Sequence, residues 1–536
     1  MFSTYHDLTR LENRLTGETN VDSIRVLEEQ IKGHQRPIIE LKRTQNSLLN
    51  VSRLPPEILG DIFCRCAIPD GFEKRSYTFL LVCHHWFEVG SRTPELWGFW
   101  GNNLRDWEKH HLRYPEIPLD LVLNVPRFTG DSLDGTVCDS LRDRASRDSI
   151  RRVHLKARDW RLLSSILFQL TADYEEVRLN SVESFILRNE DNTPVDVSRF
   201  FAHNRSWELQ HLELTNCTIS SWDHLTSQTT ALTTLILHLS RLSSIPTTPQ
   251  LFSILASNPA LRKVVLTGRS VPDDGDEDPS HRLSLPHLEE LKLVGRSHDV
   301  SKLLLRLDHP EQMHHLDIAL DRCVVDDISN DIGPYLRDYL RRRGWSQNGL
   351  GLYIFSEGRI VFRVGDVGGL CPSTPVSERM VPFVAITINS LQAPPDNSRE
   401  RIILDIIANI PLEEIVYLRT YGKPIAMKNI YPRLPNLRAL HVGRIPLSAV
   451  FPEQGEYNRV PPSLQHIFLE QVVVGGGDWT PLTTFLSRRA SPGKWLDSLE
   501  ILNSSDMYPE DVGDIENAVR DFRTNRINPY GAYPRH

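Results

Sequence analysis

Cys64, Cys66, Cys83, His84 and His85 are, by type, the side chains best suited to hold a metal ion. Structural zinc sites draw ligands from C-x2–4-C pairs; a C-x-C step and an adjacent Cys-His-His lack that spacing, so no zinc is expected. The densest acidic run, Asp273, Asp274, Asp276, Glu277 and Asp278, could gather calcium or meet a basic partner. It lacks the residue order and closing glutamate of a calcium loop and reads as a solvated loop. Arg341-Arg342-Arg343 could contact phosphate or serve nuclear import; a solvated helix end suits it better. Gly475-Gly476-Gly477 and Gly365–Gly369 continue into neither Gly-Lys-Ser/Thr nor G-x-G-x-x-G, so they cradle no phosphate. Neither G-x-S-x-G nor H-E-x-x-H occurs. The expectation is a protein that is not an enzyme, needs no cofactor and works through contact surfaces.

Composition narrows the partners. Hydrophobic residues at 40% and charged residues at 24% describe a folded chain. A net charge of −8, from 61 basic and 69 acidic residues, argues against nucleic acid as the main ligand. Seven cysteines without a framework suit a reducing compartment. No apolar run approaches the roughly 18 residues of a membrane span, and Met1–Arg10 lack a signal-peptide core. Cytoplasm or nucleus is the expected location. At 536 residues the chain exceeds one ordinary core, which predicts several units or a repeat array.

The stretch Leu54-Pro55-Pro56-Glu57-Ile58-Leu59-Gly60-Asp61-Ile62-Phe63 opens a short helix. Its prolines sit where a first turn has no partners for its N–H groups, and Leu54, Ile58, Leu59, Ile62 and Phe63 make one apolar face. Leu81-Val82-Cys83-His84-His85-Trp86 reads as a second helix. Thr93 predicts a cap for a third, with Pro94 first, Glu95 favoured by the dipole, and Leu96-Trp97 after it. Three such helices in about 45 residues bury too little to stand alone, which predicts a partner.

At these residues the chain resembles an F-box. The family pattern of Leu-Pro-x-Glu-Ile/Leu-Leu, Val-Cys-x-x-Trp and a final Leu-Trp is met by Leu54, Pro55, Glu57, Ile58 and Leu59, by Val82, Cys83 and Trp86, and by Leu96 and Trp97. It looks most like the F-box proteins of mushroom-forming (basidiomycete) fungi, which place a short helical segment before the motif. The resemblance covers residues 51–100. It implies docking on a Skp-type adaptor of a cullin–RING (SCF-type) ubiquitin ligase through Leu54, Pro55, Pro56, Glu57, Ile58, Leu59, Ile62, Val82, Trp86, Leu96 and Trp97. Among these, Leu54, Pro55, Ile58 and Leu59 would anchor the adaptor, while Val82, Trp86 and Trp97 would hold the helices together. Leu59→Asp is then expected to abolish docking and leave the rest folded.

Residues 1–50 form an N-terminal helical segment with Leu8, Leu11 and Leu15, then Ile24, Leu27, Ile31, Ile38, Leu41 and Leu48 near heptad spacing. His34 and Gln45 interrupt it, and Pro37 is expected to break or kink it just after Gly33. A dimerising coiled coil and a helix packed beside the F-box both fit; fewer than four clean heptads favour the second.

From about residue 119 to 520 one phrase recurs: apolar, two others, apolar, one other, apolar. It reads Ile150-x-x-Val153-x-Leu155, then returns from Tyr174, Leu209, Leu232, Leu261, Leu288 and Met313. After a gap it runs from Leu412 to Tyr417 and again from Leu437, Leu464 and Leu496. Starts fall mostly 23 to 35 residues apart, and this phrase resembles the strand of a leucine-rich repeat, whose stacked coils build a solenoid. The family's Asn or Cys ladder is nearly absent, Cys217 alone fitting it, so an irregular solenoid is expected. Helical stretches 162–170, 250–256, 300–307 and 480–488 suit its convex side. Residues 331–382 read as an insertion or a distorted repeat, with a helix at 335–343 and a hairpin of 351–355 and 359–363; a strand at 384–388 follows. The tail 521–536 is expected to be disordered. The fold class is α/β: N-terminal helices and a three-helix F-box, then a leucine-rich-repeat-like solenoid with a parallel sheet.

Residues alternating with the buried pair should face the concave side and bind a target protein whose identity is open. The candidates are Arg152, His154, Lys156, Arg178, His211, Ile236, His238, Lys263, Val265, His441 and Phe468; Ile236, Val265 and Phe468 are apolar where a bare surface prefers polar groups. The favoured function is the substrate-recognition subunit of the ligase. The alternative is a non-ligase interaction scaffold of the same architecture.

Overall fold

The computed structural model describes residues 20–67, 77–100, 118–125, 150–171, 181–203, 208–240, 244–268, 282–308, 313–343, 349–357, 359–367, 380–389, 398–422, 427–451, 460–472, 474, 479–490, 495–504 and 509–524. Packing divides the chain into two compact units, residues 1–124 with 149–154 and residues 125–148 with 155–536.

The first unit begins with helix α1 (Asn20–Ser47), which runs unbroken through Pro37, contrary to the expected break. A proline ring crowds the carbonyl four residues earlier; here that residue is Gly33, whose backbone yields most easily. Leu8, Leu11 and Leu15 lie outside the described residues. Next come a single 3-10 turn (Asn50–Arg53), helix α2 (Pro56–Ala67), a turn (Thr78–Leu81), helix α3 (His84–Arg92) and a turn (Pro94–Leu96). Pro56 takes the first helical position, and the Leu59 amide donates to the Pro55 carbonyl at 3.0 Å. Thr93 does not cap a third helix. Its hydroxyl donates back to the Val89 carbonyl at 2.9 Å, closing α3, and only one 3-10 turn follows.

Positions 59, 63 and 67 fall on one side of α2, and Leu59, Phe63 and Ala67 form a core with Val89 and Leu96. Phe79, Trp86 and Trp97 pack on it, Phe63 stacking on Phe79 at 4.7 Å and meeting Trp86 at 5.2 Å. Strand β1 (Phe99–Trp100) then pairs in parallel with β2 (Leu119–Val125). Residues 119–124 thus belong to this unit and not to the repeats.

The later strands are β3 (Ile150–Ala157), β4 (Ser184–Asn189), β5 (Val195–Asp196), β6 (His211–Thr215), β7 (Cys217–Thr218), β8 (Thr234–Leu239), β9 (Lys263–Gly268) and β10 (Glu290–Arg296). They continue as β11 (His315–Arg322), β12 (Leu350–Glu357), β13 (Arg359–Val367), β14 (Met380–Ile388), β15 (Ile415–Gly422), β16 (Ala439–Gly443), β17 (His466–Glu470), β18 (Leu496–Leu502) and β19 (Val519–Thr524). In the second unit they make a large, mostly parallel sheet in the order β4-β6-β8-β9-β10-β11-β14-β13-β12-β15-β16-β17-β18-β19. Helices Trp160–Thr171, Thr248–Ala256, Ser297–Arg306 and Thr480–Ala490 separate strands where helical stretches are expected.

The phrases from Leu232 and Leu464 put their three apolar residues inside: Leu232, Leu235 and Leu237 are almost wholly buried, as are Leu464, Ile467 and Leu469. Each such burial contributes about 1.5–3 kcal/mol. The residue seven places after the phrase begins recurrently takes a left-handed conformation: Asn216, Gly268, Gly422, Arg444, Gln471 and Asn503 have φ between 52° and 104°. At Gly268 a side chain would put its Cβ 2.2 Å from the Leu239 carbonyl oxygen, so only glycine fits.

Residues 331–382 carry the expected helix and hairpin: helix Gly333–Arg343 leads into an antiparallel meander of β12, β13 and β14, built into the sheet between β11 and β15. Three expectations are corrected. The sheet is parallel only on either side of this meander. The phrase read from Leu412 is out of register by three residues. Tyr417 pairs with Ala439 and Leu418 with Leu440, so the inward residues of β15 are Ile415, Leu418 and Thr420. Finally, the tail begins as a strand, because β19 pairs with β18; residues 525–536 lie outside the described residues.

Candidate functional site

Two surfaces merit attention, one in each unit. In the first unit, α2 splits the apolar residues expected to share one face. Leu59 and Leu96 are fully buried, so they hold the helices together and offer no docking surface. The side chains left outside are Ile58 (47% exposed), Ile62 (39%), Leu81 (83%), Val82 (57%) and Phe87 (51%). Val82 was assigned to the interior and is on the surface; Trp86 and Trp97 do pack on the core. Pro55, Pro56 and Glu57 are exposed and Leu54 is half-buried. Leu81 and Phe87 escape motif reasoning; Leu81 lies just before the Val-Cys-x-x-Trp pattern and Phe87 just after it.

A cleft of about 280 Å³ separates Arg43, Asn46 and Ser47 at the end of α1 from Cys83, His84, His85 and Glu88. Among the described residues no three His, Cys, Asp or Glu side chains converge as a metal site.

In the second unit, register places alternate strand residues in rows across the part-exposed face of the sheet. One row runs Ile186, Glu213, Ile236, Val265, Lys292 and Asp317 through β4 to β11. Charges here neutralise each other: Arg188 Nη2 donates to Glu213 at 2.9 Å, Lys263 meets Glu290 at 2.7 Å and Lys292 meets Asp317 at 2.7 Å. Glu213 is nearly buried, so Arg188 compensates a charge that has left water. Val265 is buried too, flanked in the row by half-buried Ile236, and is removed from the contact residues. His211, His238 and Lys263 are half-buried on this face. His238 Nδ1 lies 2.5 Å from the Thr267 hydroxyl, and burial pushes its pKa down.

The same row continues through the meander as Ala385, Arg363 and Tyr353, and beyond it as Arg419, His441, Phe468 and Glu500. Its chemistry changes. Arg363 and Arg419 both lie over the Tyr353 ring, 5.9 and 5.5 Å from its centroid, and Arg444 lies 5.3 Å from that of Tyr421. Phe355 stacks on Tyr421 at 5.7 Å, and Tyr421 covers Gly443 so closely that a Cβ there would be 2.1 Å from the ring. His441 is held neutral by burial, which outweighs the pull of Glu470. Its Nε2–H then donates to Glu470 at 3.0 Å, leaving Nδ1 to accept from the Tyr417 hydroxyl at 3.5 Å. The His441 bond in turn holds the Glu470 carboxyl below its ordinary pKa. This chain fixes side-chain orientation; its hydroxyl end, Tyr417, is buried and its pKa raised.

Of the remaining candidates, Arg152 and His154 fall in the first unit, Arg152 lying 3.7 Å from buried Asp120. Lys156 is in the second unit, bonded to Glu190 at 2.8 Å. Arg178, with its phrase from Tyr174, lies outside the described residues, as do the acidic run 273–278 and Gly475–Gly477. Arg343 ends its helix by donating to the His314 carbonyl and lying 3.9 Å over Phe383, a structural task.

The fold defines a mixed α/β protein with a large, mostly parallel sheet. No protein-family model and no curated protein matches it.

Proposed function

We propose that this chain is the substrate-recognition subunit of an SCF-type ubiquitin ligase. Residues 51–100, an F-box, dock on a Skp-type adaptor; the repeats, a leucine-rich-repeat-like solenoid, hold a target protein. The observation that carries this reading is the set of large apolar side chains that the Leu-Pro-Pro-Glu helix and its neighbours leave in water. Ile58, Ile62, Leu81, Val82 and Phe87 stand outside a core already complete without them. Such residues in a polar surround mark contact sites. The subunit catalyses nothing; it raises the concentration of a bound target near a charged conjugating enzyme. On the repeats, the Tyr353–Arg419–Phe468 half of the row is the better target surface, because aromatic and arginine side chains carry most interface energy.

The test uses surface substitutions. Co-expressed with the adaptor, the full chain is expected to form a stoichiometric complex on size exclusion. Ile58→Asp with Val82→Asp should lose the adaptor and keep the parent's melting temperature and circular dichroism. A variant that still co-purifies sinks the docking claim, and a parent that ignores the adaptor leaves a scaffold. Leu59→Asp is unsuitable, because it places a charge in the core.

A further inference from the structure

Helix α1 keeps its apolar heptad in solvent. Ile24, Leu27, Ile31, Ile38 and Leu41 of the helix, with Leu48 in the turn that follows it, are all exposed, from 36% at Leu27 to 71% at Leu41. With His34 and Gln45 they step by three and four residues alternately, without a slip, from 24 to 48. The helix holds 28 residues and is about 42 Å long. Off the stripe the helix is mostly polar, with Ile39 an apolar exception: Glu40 pairs with Arg43 at 2.8 Å, and Glu28 precedes Lys32 by one turn in the favourable order. A single helix with so long an apolar stripe in water wants a second one.

We propose that α1 pairs with α1 of a second copy of this chain, as a parallel two-stranded coiled coil. The heptad itself selects the occupant. Its first core position holds β-branched Ile24, Ile31 and Ile38, then Gln45; the second holds Leu27, Leu41 and Leu48, with His34 among them. Isoleucine at the first and leucine at the second is the combination that packs best in parallel pairs. An in-register copy sets Gln45 against Gln45 and His34 against His34, where each polar group finds a hydrogen-bonding equal. An antiparallel copy sets Leu27 against Gln45 and His34 against Ile38, burying amide and imidazole without partners, at two symmetry-related places each. That arrangement would bring Glu28 near Lys42, but an exposed ion pair contributes too little to offset unpaired buried groups. In the parallel register the flanking Gln30 faces Gln35 and no like charges meet. Pro37 sits beside the seam and removes one helical hydrogen bond, so it weakens the pair without redirecting it.

The proposal goes beyond the adaptor reading and is tested without the adaptor. Light scattering on the full chain at tens of micromolar is expected to give a dimer. Ile31→Glu with Leu41→Glu should give a monomer with unchanged sheet signal, both side chains being exposed in one chain. Ile24→Cys should cross-link to itself on oxidation, above the parent's background. In a parallel pair the two residues oppose each other; in an antiparallel pair they lie about 36 Å apart. A monomeric parent overturns the proposal. So does a dimer that survives the double substitution, and a dimer in which Ile24→Cys cross-links only when mixed with Leu48→Cys overturns its direction.

Discussion

The two halves of the sheet in the second unit share one backbone plan and solve different problems on the same face. From β4 to β11 three charge pairs bridge neighbouring strands: Arg188 with Glu213, Lys263 with Glu290, Lys292 with Asp317. From β12 to β18 the arginines lie over rings, and histidines and carboxylates are threaded between them. The first half is electrostatically closed. The second adds aromatic rings to its ion pairs, Arg419 also meeting Glu470 at 3.4 Å and Arg444 meeting Glu357 at 3.3 Å, and so presents planar, weakly hydrated groups among them. Repeated local geometry thus says little about what a face does; the alternate residues decide it.

This contrast can be broken in graded steps. The largest effect is expected from Arg188→Ala, which strands the nearly buried Glu213 carboxylate and should cost about 3 kcal/mol in urea denaturation. A change under about 1 kcal/mol would mean that Glu213 is hydrated and the first half is not closed. In the second half, the buried Thr420 hydroxyl has no hydrogen-bond partner and faces Val442 and Ile354 across the strands. Thr420→Val should therefore stabilise the protein by about 1 kcal/mol, and destabilisation would show the register of β15 to be wrong.

Acid sharpens the comparison further. Burial lowers the pKa of His238, His441 and His466, so the folded chain resists protons that the unfolded chain accepts near pH 6.5. Their contribution is present above that pH and is lost as pH falls below it through the lowered values of the folded state. Two of the three lie beyond the meander, so hydrogen exchange there should accelerate more than in β6–β10; equal acceleration would deny the difference. The smallest effect belongs to Lys263→Ala. It removes one arm of a part-exposed pair and should cost at most about 1 kcal/mol at low salt and less at high salt.

Much of this was legible before any coordinates. Aliphatic side chains in the recurring phrase place β6, β8, β9, β10, β11, β16, β17 and β18, because only a buried, alternating strand needs them there. The phrase misleads where chemistry at its last position departs from type. Thr420 hides the true register of β15, and Leu412, part of the turn before it, supplies a false start. At β4 the phrase is Val182, Phe185 and Leu187, all fully buried, a repeat the sequence reading passes over. Strand order around the meander could not be read at all, since β11 meets β14 and β12 meets β15 across long stretches of chain. On α2 a helical wheel cannot tell Leu59 from Ile58, one residue apart. Which of them faces inward depends on Trp86 and Phe79, brought in by other elements.

The meander also has a kinetic meaning. On either side of it each parallel strand leans only on its neighbours, so order can spread one coil at a time. Across it, order must wait until β12, β13 and β14 have closed their local hairpins and offered an edge to both sides. The hairpins form from nearby residues and can close early, yet neither flanking block is complete until they do. Assembly of the sheet therefore has a seam at residues 350–388, and slowing the closure of that seam would leave two half-finished edges open to other chains.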